Sequence, residues 1–168
     1  MRFIKGLPLV RGSIKKTTFL LSIPVQVLSA IYNPDIKELL MTKRYSTSID
    51  LRFSDLDLYG HVNSAIYFTY LETARIKLFM EAFQELTDQG IFIVVGRAEC
   101  DYKYPILLTD TVVVSAWVSR IGATIFDLTY DIHNNDERTF ATAVTTMVCV
   151  DSIKKKPVAV PDRLRAMA

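Results

Sequence analysis

From Ala65 to Leu86 the chain runs without a glycine or a proline, and no other stretch constrains its fold as strongly. Ile66, Tyr67, Tyr70, Leu71, Ala74, Leu78, Ala82 and Phe83 recur mostly at three- and four-residue steps, the spacing of one helical face. Thr69, Glu72, Thr73, Lys77, Glu81, Gln84 and Glu85 supply a polar side, while Phe68, Phe79 and Met80 widen the apolar stripe. A helix apolar over most of its circumference needs a curved cover, so the pattern predicts a long helix wrapped by a sheet. Asp88-Gln89-Gly90 stops it, Gly90 being the residue that tolerates a left-handed cap.

The rest of the chain reads as strands. Ile91 to Val95 opens an apolar strand that continues through Arg97 to Tyr104 and halts at Pro105. Thr111 to Ser119 is rich in Val, Phe126 to Ile132 alternates apolar and polar residues, and Thr139 to Val150 is rich in Thr and Val. Arg120-Ile121-Gly122-Ala123 and His133-Asn134-Asn135-Asp136-Glu137 suit hairpin loops. Ahead of the helix, Ile49, Leu51 and Phe53 alternate with Ser48, Asp50, Arg52 and Ser54, which predicts a strand from Arg44 to about Phe53. One strand, a long helix and four hairpin-linked strands give an α+β layer, not a doubly wound parallel sheet.

Between the first strand and the helix lies a polar turn. Asp55 and Asp57 keep the apolar parity of the strand; if it persisted that far, both carboxylates would face the core, where an ionised group is costly unless hydrogen-bonded or used. Gly60, His61, Val62, Asn63 and Ser64 follow. The first helical turn leaves free N–H groups pointing back at this turn, so an acid, a His, an Asn and a partly positive helix end converge. Such a set can polarise a carbonyl and hydrolyse it.

Arg52-Phe53, Asp55, Asp57, Gly60-His61-Val62-Asn63, Tyr67, Tyr70, Glu72 and Ala74-Arg75 stand in the order of a family signature. The pattern resembles the 4-hydroxybenzoyl-CoA thioesterase family of hotdog-fold acyl-CoA thioesterases, over roughly Met41 to Leu164. The resemblance implies a hotdog fold, a curled antiparallel sheet around one central helix, and hydrolysis of an acyl-CoA thioester to free acid and coenzyme A. It assigns catalysis to Asp57 as nucleophile or as the base for water; the competing role is an Asx-turn residue before Gly60. His61 is an orienter or proton carrier, against a loop hydrogen-bonder, and Asn63 binds a carbonyl or positions water, against capping the helix. Backbone N–H groups near Ser64 and Ala65 suit an oxyanion hole. Tyr67 lines an acyl pocket, or is core.

Asp55 reads as structural or as support for the neighbouring acid, paired with Arg75; its other reading is a protonated acid, since two close carboxylates raise one pKa. Glu72 is the runner-up acid, with an ion pair to Arg75 as its other reading. Arg120, with Arg97, Lys103 and the Lys154 to Lys156 run, is a candidate for the phosphates of coenzyme A, each with solvated charge as its default. The family builds its sites across two subunits, which implies a homodimer or a dimer of dimers, and the proposed chemistry needs no metal or redox cofactor. The rivals are an acyl-carrier-protein thioesterase, a hotdog hydratase, whose His and acid pair is not found, and a non-catalytic acyl-CoA sensor.

Charge and length fit this picture. Six of the 20 Lys/Arg and two of the 18 Asp/Glu fall in residues 1 to 40, leaving 14 against 16 for the remainder, which argues against a nucleic-acid-binding face. Residues 1 to 40 hold no acid before Asp35, and basic residues precede the apolar run from Phe19 to Tyr32, broken by Pro24. They read as an N-terminal extension: a targeting segment, or a leader ahead of a natural start at Met41. The apolar run is too short to span a membrane comfortably, so no integral membrane segment is expected. The expected compartment is the cytoplasm, with organelle import if residues 1 to 40 are a transit segment. Residues 41 to 168 form the expected thioesterase domain. Cys100 and Cys149 lack disulfide or metal spacing and read as small buried hydrophobes.

Overall fold

The computed structural model describes residues 43–135 and 138–168. The N-terminal extension lies outside the described residues. Chain order is β1 (Tyr45–Ile49), a 3-10 turn (Phe53–Asp55), α1 (Ile66–Asp88), β2 (Ile91–Tyr102), β3 (Val112–Ile121), β4 (Ile125–Asn134), β5 (Arg138–Asp151) and a short α2 (Asp162–Arg165). The strands form one antiparallel sheet in the order β1-β3-β4-β5-β2, with every pairing antiparallel. Both edge strands, β1 and β2, touch α1, as does β3. The sheet therefore curls round the helix, the architecture expected from the sequence.

The apolar stripe of α1 does the packing. Tyr67, Tyr70, Leu71, Ala74, Phe79, Ala82 and Leu86 are buried against the inward residues of the sheet, among them Val112, Val114, Phe126, Leu128, Tyr130, Ile132 and Phe140. Each large side chain removed from water contributes on the order of 1.5–3 kcal/mol, so this interface holds the fold. Gly90 takes φ +78° just past the helix, and its carbonyl accepts from Ser152 N–H at 2.8 Å. The wrapping is incomplete within one chain, however. Phe68, Ile76 and Met80 stay exposed on α1, and Val94 and Val95 on β2.

Several sequence expectations shift at their edges. The first strand ends at Ile49 rather than near Phe53, because Asp55 bonds its own backbone: Arg52 N–H donates to Asp55 Oδ2 at 3.0 Å and Asp55 N–H to the Arg52 carbonyl at 2.9 Å. That local closure replaces the ladder bonds a strand would need. Arg120 and Ile121 belong to β3 and His133 and Asn134 to β4, so both hairpin loops are shorter than expected. Near the C-terminus, Lys154 to Lys156 ahead of Pro157 and Pro161 reads in the sequence as a solvated turn and tail, yet the segment packs on the domain. Val160, Leu164 and Met167 are buried, and Val160 N–H donates to the Ala123 carbonyl at 2.9 Å. Cys149 is buried as read, while Cys100 is half-buried; both are free thiols.

Candidate active site

The site grows from the loop between residues 56 and 62, a narrow hairpin closed by the bridge Leu56 to Val62. Asp57 N–H donates to the His61 carbonyl at 2.8 Å and Gly60 N–H to the Asp57 carbonyl at 3.1 Å. Gly60 sits at φ +78°, where a side chain would be strained, so glycine makes the bend. The loop leans on the chain beyond β2: Val62 N–H donates to the Ile106 carbonyl at 2.9 Å, and His61 bridges to Leu107. This long-range support fixes where Asp57 stands.

Asp57 is half-buried, and Oδ1 accepts from Tyr59 N–H at 2.8 Å and His61 N–H at 3.3 Å. The turn role weighed from the sequence is thus real. It occupies one oxygen, and among the described residues Oδ2 takes no hydrogen bond, so the carboxylate is oriented by one atom and open at the other. Asp57, His61, Asn63, Ser64 and Tyr67 line one groove of about 380 Å³. The sequence had brought these five together.

The helix start supplies the donors. Asn63 Oδ1 accepts from Ala65 N–H at 2.9 Å, and the Asn63 carbonyl from Ile66 N–H at 2.9 Å. Asn63 therefore does cap this end, and its capping takes up the Ala65 amide expected for the oxyanion hole. Ser64 N–H, by contrast, has no acceptor among the described residues. Tyr67 is buried, and burial pushes its phenol up to about 12, against the opposing Ile106 backbone hydrogen bond. At neutral pH it is a neutral group and not a base.

Four lining residues come from the far end of β2 and the loop after it: Tyr102, Lys103, Tyr104 and Pro105. Only Lys103 was singled out from the sequence, as one of several cations. Tyr102 donates through its hydroxyl to the Ser64 carbonyl at 2.8 Å and meets Tyr67 edge-on, with ring centroids 4.9 Å apart. Two tyrosines at i and i+2 before a proline were the available signal. Cys100, next along the same strand face, has its thiol pushed up by burial, which keeps it protonated and unsuited to attack.

Other expectations fall elsewhere. Arg120 does not line the groove; it lies at the opposite end of β3, where Nε donates to Asp127 Oδ2 at 2.6 Å. That hydrogen bond, aided by Thr146, holds the Asp127 carboxyl below the usual carboxylate range. Arg97 likewise pairs with Glu99. Asp55 is only 2% exposed, but its partners are Arg52 and the Tyr70 hydroxyl, 2.9 Å away, rather than Arg75. Arg75 donates instead to the Tyr130 hydroxyl at 3.3 Å, and among the described residues no ion pair joins it to Glu72. Glu72 lines a separate cleft of about 270 Å³ with Phe68, Arg75, Val95 and Ala98, away from the Asp57 groove. No group of three or more His, Cys, Asp or Glu among the described residues could hold a metal ion, and no described helix is long and apolar enough to cross a membrane.

Comparison with known proteins places the geometry in context. Residues 51–167 match the thioesterase-like superfamily. The chain is 31% identical over 122 residues to the long-chain acyl-CoA thioesterase FadM of Escherichia coli, covering 71% of this chain and 92% of FadM. It is 26% identical over 128 residues to the acyl-CoA thioester hydrolase YbgC of Escherichia coli, covering 74% and 96%. Among solved structures, a thioesterase from Thermus thermophilus complexed with coenzyme A and Zn superposes with a TM-score of 0.64 at 32% identity, covering 73% of this chain and 94% of that one.

Proposed function

The chain belongs to the thioesterase-like superfamily, and from that premise we propose that it hydrolyses acyl-CoA thioesters at the groove beneath Asp57. One observation carries the reading: Asp57, with one carboxylate oxygen outside any hydrogen bond among the described residues, and Ser64, whose amide has no acceptor among them, line the same groove. A thioester needs an attacking oxygen and a donor for the oxygen that becomes negative, while a thiolate leaves readily without an acid. Ser64 N–H, at the positive end of α1, is that donor. Asp57 acts on the same carbonyl, either attacking it, with expulsion of the CoA thiolate and hydrolysis of the resulting anhydride, or taking a proton from attacking water. His61 stands beside it to orient water or carry the proton.

Thiol release from a panel of acyl-CoAs tests the reading. Turnover of at least one member at a kcat of roughly 1 s⁻¹ or more is expected, whereas tight binding without release of thiol by any would make the chain a sensor instead. A single turnover in ¹⁸O-water separates the two routes. Attack by Asp57, with water opening the anhydride at the aspartyl carbon, delivers an unlabelled oxygen to the acid product and leaves label on the protein; direct water attack on the thioester labels the acid at once and leaves the protein unlabelled.

Self-association belongs to the same reading, as a homodimer or a dimer of dimers. β2 pairs with β5 on one side only, and an edge of 12 residues opening Ile-Phe-Ile-Val-Val invites a further chain. Phe68 at 38% exposure and Val95 at 47% line the cleft beside it. Two copies meeting about a two-fold axis would cover both. Val95→Lys places an ammonium at that seam, and the variant is expected to sediment as a monomer. A wild type that sediments as a monomer at micromolar concentration would contradict the assembly.

A further inference from the structure

We propose that Tyr102 is a positioning residue for thioester cleavage, holding the start of α1 so that the Ser64 amide points into the groove. The inference rests on the hydrolase reading above and adds a residue to it. The Ser64 carbonyl and the Ala65 amide are the two ends of one peptide unit. Tyr102 Oη donates to the first at 2.8 Å, and Asn63 Oδ1 accepts from the second at 2.9 Å. The preceding unit is held as well, because the Asn63 carbonyl accepts from Ile66 N–H at 2.9 Å. Both peptide planes flanking Ser64 are thus fixed, and Ser64 N–H is the group left without an acceptor among the described residues.

These ties are not equivalent. The Asn63 bonds are local and would travel with the turn if it rotated. The Tyr102 bond comes from β2, 38 residues along the chain, and fastens the helix start to the sheet. Tyr102 is 49% exposed and its ring meets Tyr67 edge-on, with planes at 90°, so packing on one side and the hydrogen bond at its tip hold the phenol. A donor fixed before substrate arrives loses nothing to reorganisation when charge develops, and this is the source of oxyanion stabilisation. Burial raises the Tyr102 phenol above its ordinary value, so it remains a donor across the working range of pH.

Tyr102→Phe removes the hydrogen bond and keeps the ring against Tyr67. Steady-state kinetics on the best acyl-CoA of the panel should show kcat falling about tenfold, short of the ~10²–10³ that loss of a donor itself costs. KM should stay within about twofold, the signature of an interaction that matters only in the transition state. Affinity for a non-hydrolysable thioether analogue of the same acyl-CoA, which has no carbonyl to polarise, should be unchanged by the substitution. Unchanged kcat in an active background would overturn the inference, as would loss of thioether binding in step with kcat, since the side chain would then merely shape the groove. If the wild type itself turns over no acyl-CoA, the hydrolase reading has failed instead, a separate outcome.

Discussion

Asp57→Asn is expected to lower kcat for thioester hydrolysis by about 10²–10⁴-fold, the range a positioned general base or its equivalent contributes, with little change in KM. The choice of Asn matters. Asp57 Oδ1 accepts from Tyr59 and His61 N–H groups and so shapes the turn, and the amide oxygen of Asn takes over both bonds. Its amide nitrogen replaces Oδ2, the open atom, and it can neither attack a carbonyl nor take a proton. Asn therefore separates the two roles that the sequence left in competition. A variant with wild-type kcat would reduce Asp57 to a turn residue. Asp57→Ala removes both roles at once and should add a fall in stability of about 0.5–2 kcal/mol, comparable to losing a cap. Asn should leave the melting temperature nearly unchanged.

The contrast between Asp55 and Asp57 shows how much was legible in the residues. Both were read from strand parity, and the parity argument did not survive, because Asp55 closes a 3-10 turn on its own backbone and the strand stops at Ile49. What did carry over was residue type at spacing: an acid, Gly-His-Val-Asn and a helix start lie together because they are contiguous in the chain. α1 was legible for the same reason, its period being a local property, and the hairpin strands followed within a few residues. The other misses are mostly long-range. Tyr102 reaches Ser64 only because β2 and the turn meet in three dimensions. Arg120 was chosen by charge alone, and its partner Asp127 stands opposite it only through the β3–β4 register. Pro157, Pro161 and the lysines before them suggested a solvated tail, while Val160, Leu164 and Met167 formed the apolar signal that was passed over.

Removing the other aspartate should damage the fold more than the chemistry. Asp55→Ala is expected to cost roughly 2–5 kcal/mol, because it strips a buried acceptor from the Tyr70 hydroxyl and opens the capping turn. Tyr70 is itself buried, so its hydroxyl would be left without a partner, whereas Arg52 is exposed enough to return to water. Against an ordinary domain stability of about 5–15 kcal/mol this is a large fraction, and thermal unfolding should move down by roughly 10 °C. Tyr70→Phe alone removes a donor but leaves Asp55 its two bonds from Arg52, and should cost only about 1 kcal/mol. The double variant decides the cause. With hydroxyl and carboxylate both gone no orphaned group remains, so the pair should be less damaging than the sum of the singles by about 1–2 kcal/mol. Strict additivity in that cycle would mean that the Tyr70–Asp55 bond contributes nothing specific and that Asp55 acts through its turn alone. Tyr70 ties α1 to the 3-10 turn through Asp55, and the Asp55 carbonyl accepts from the N–H of Asn63 at 2.9 Å, next to the Ser64 that Tyr102 fastens. Weakening the inner tie should therefore loosen the Ser64 amide as well, and Tyr70→Phe should show a modest fall in kcat at unchanged KM.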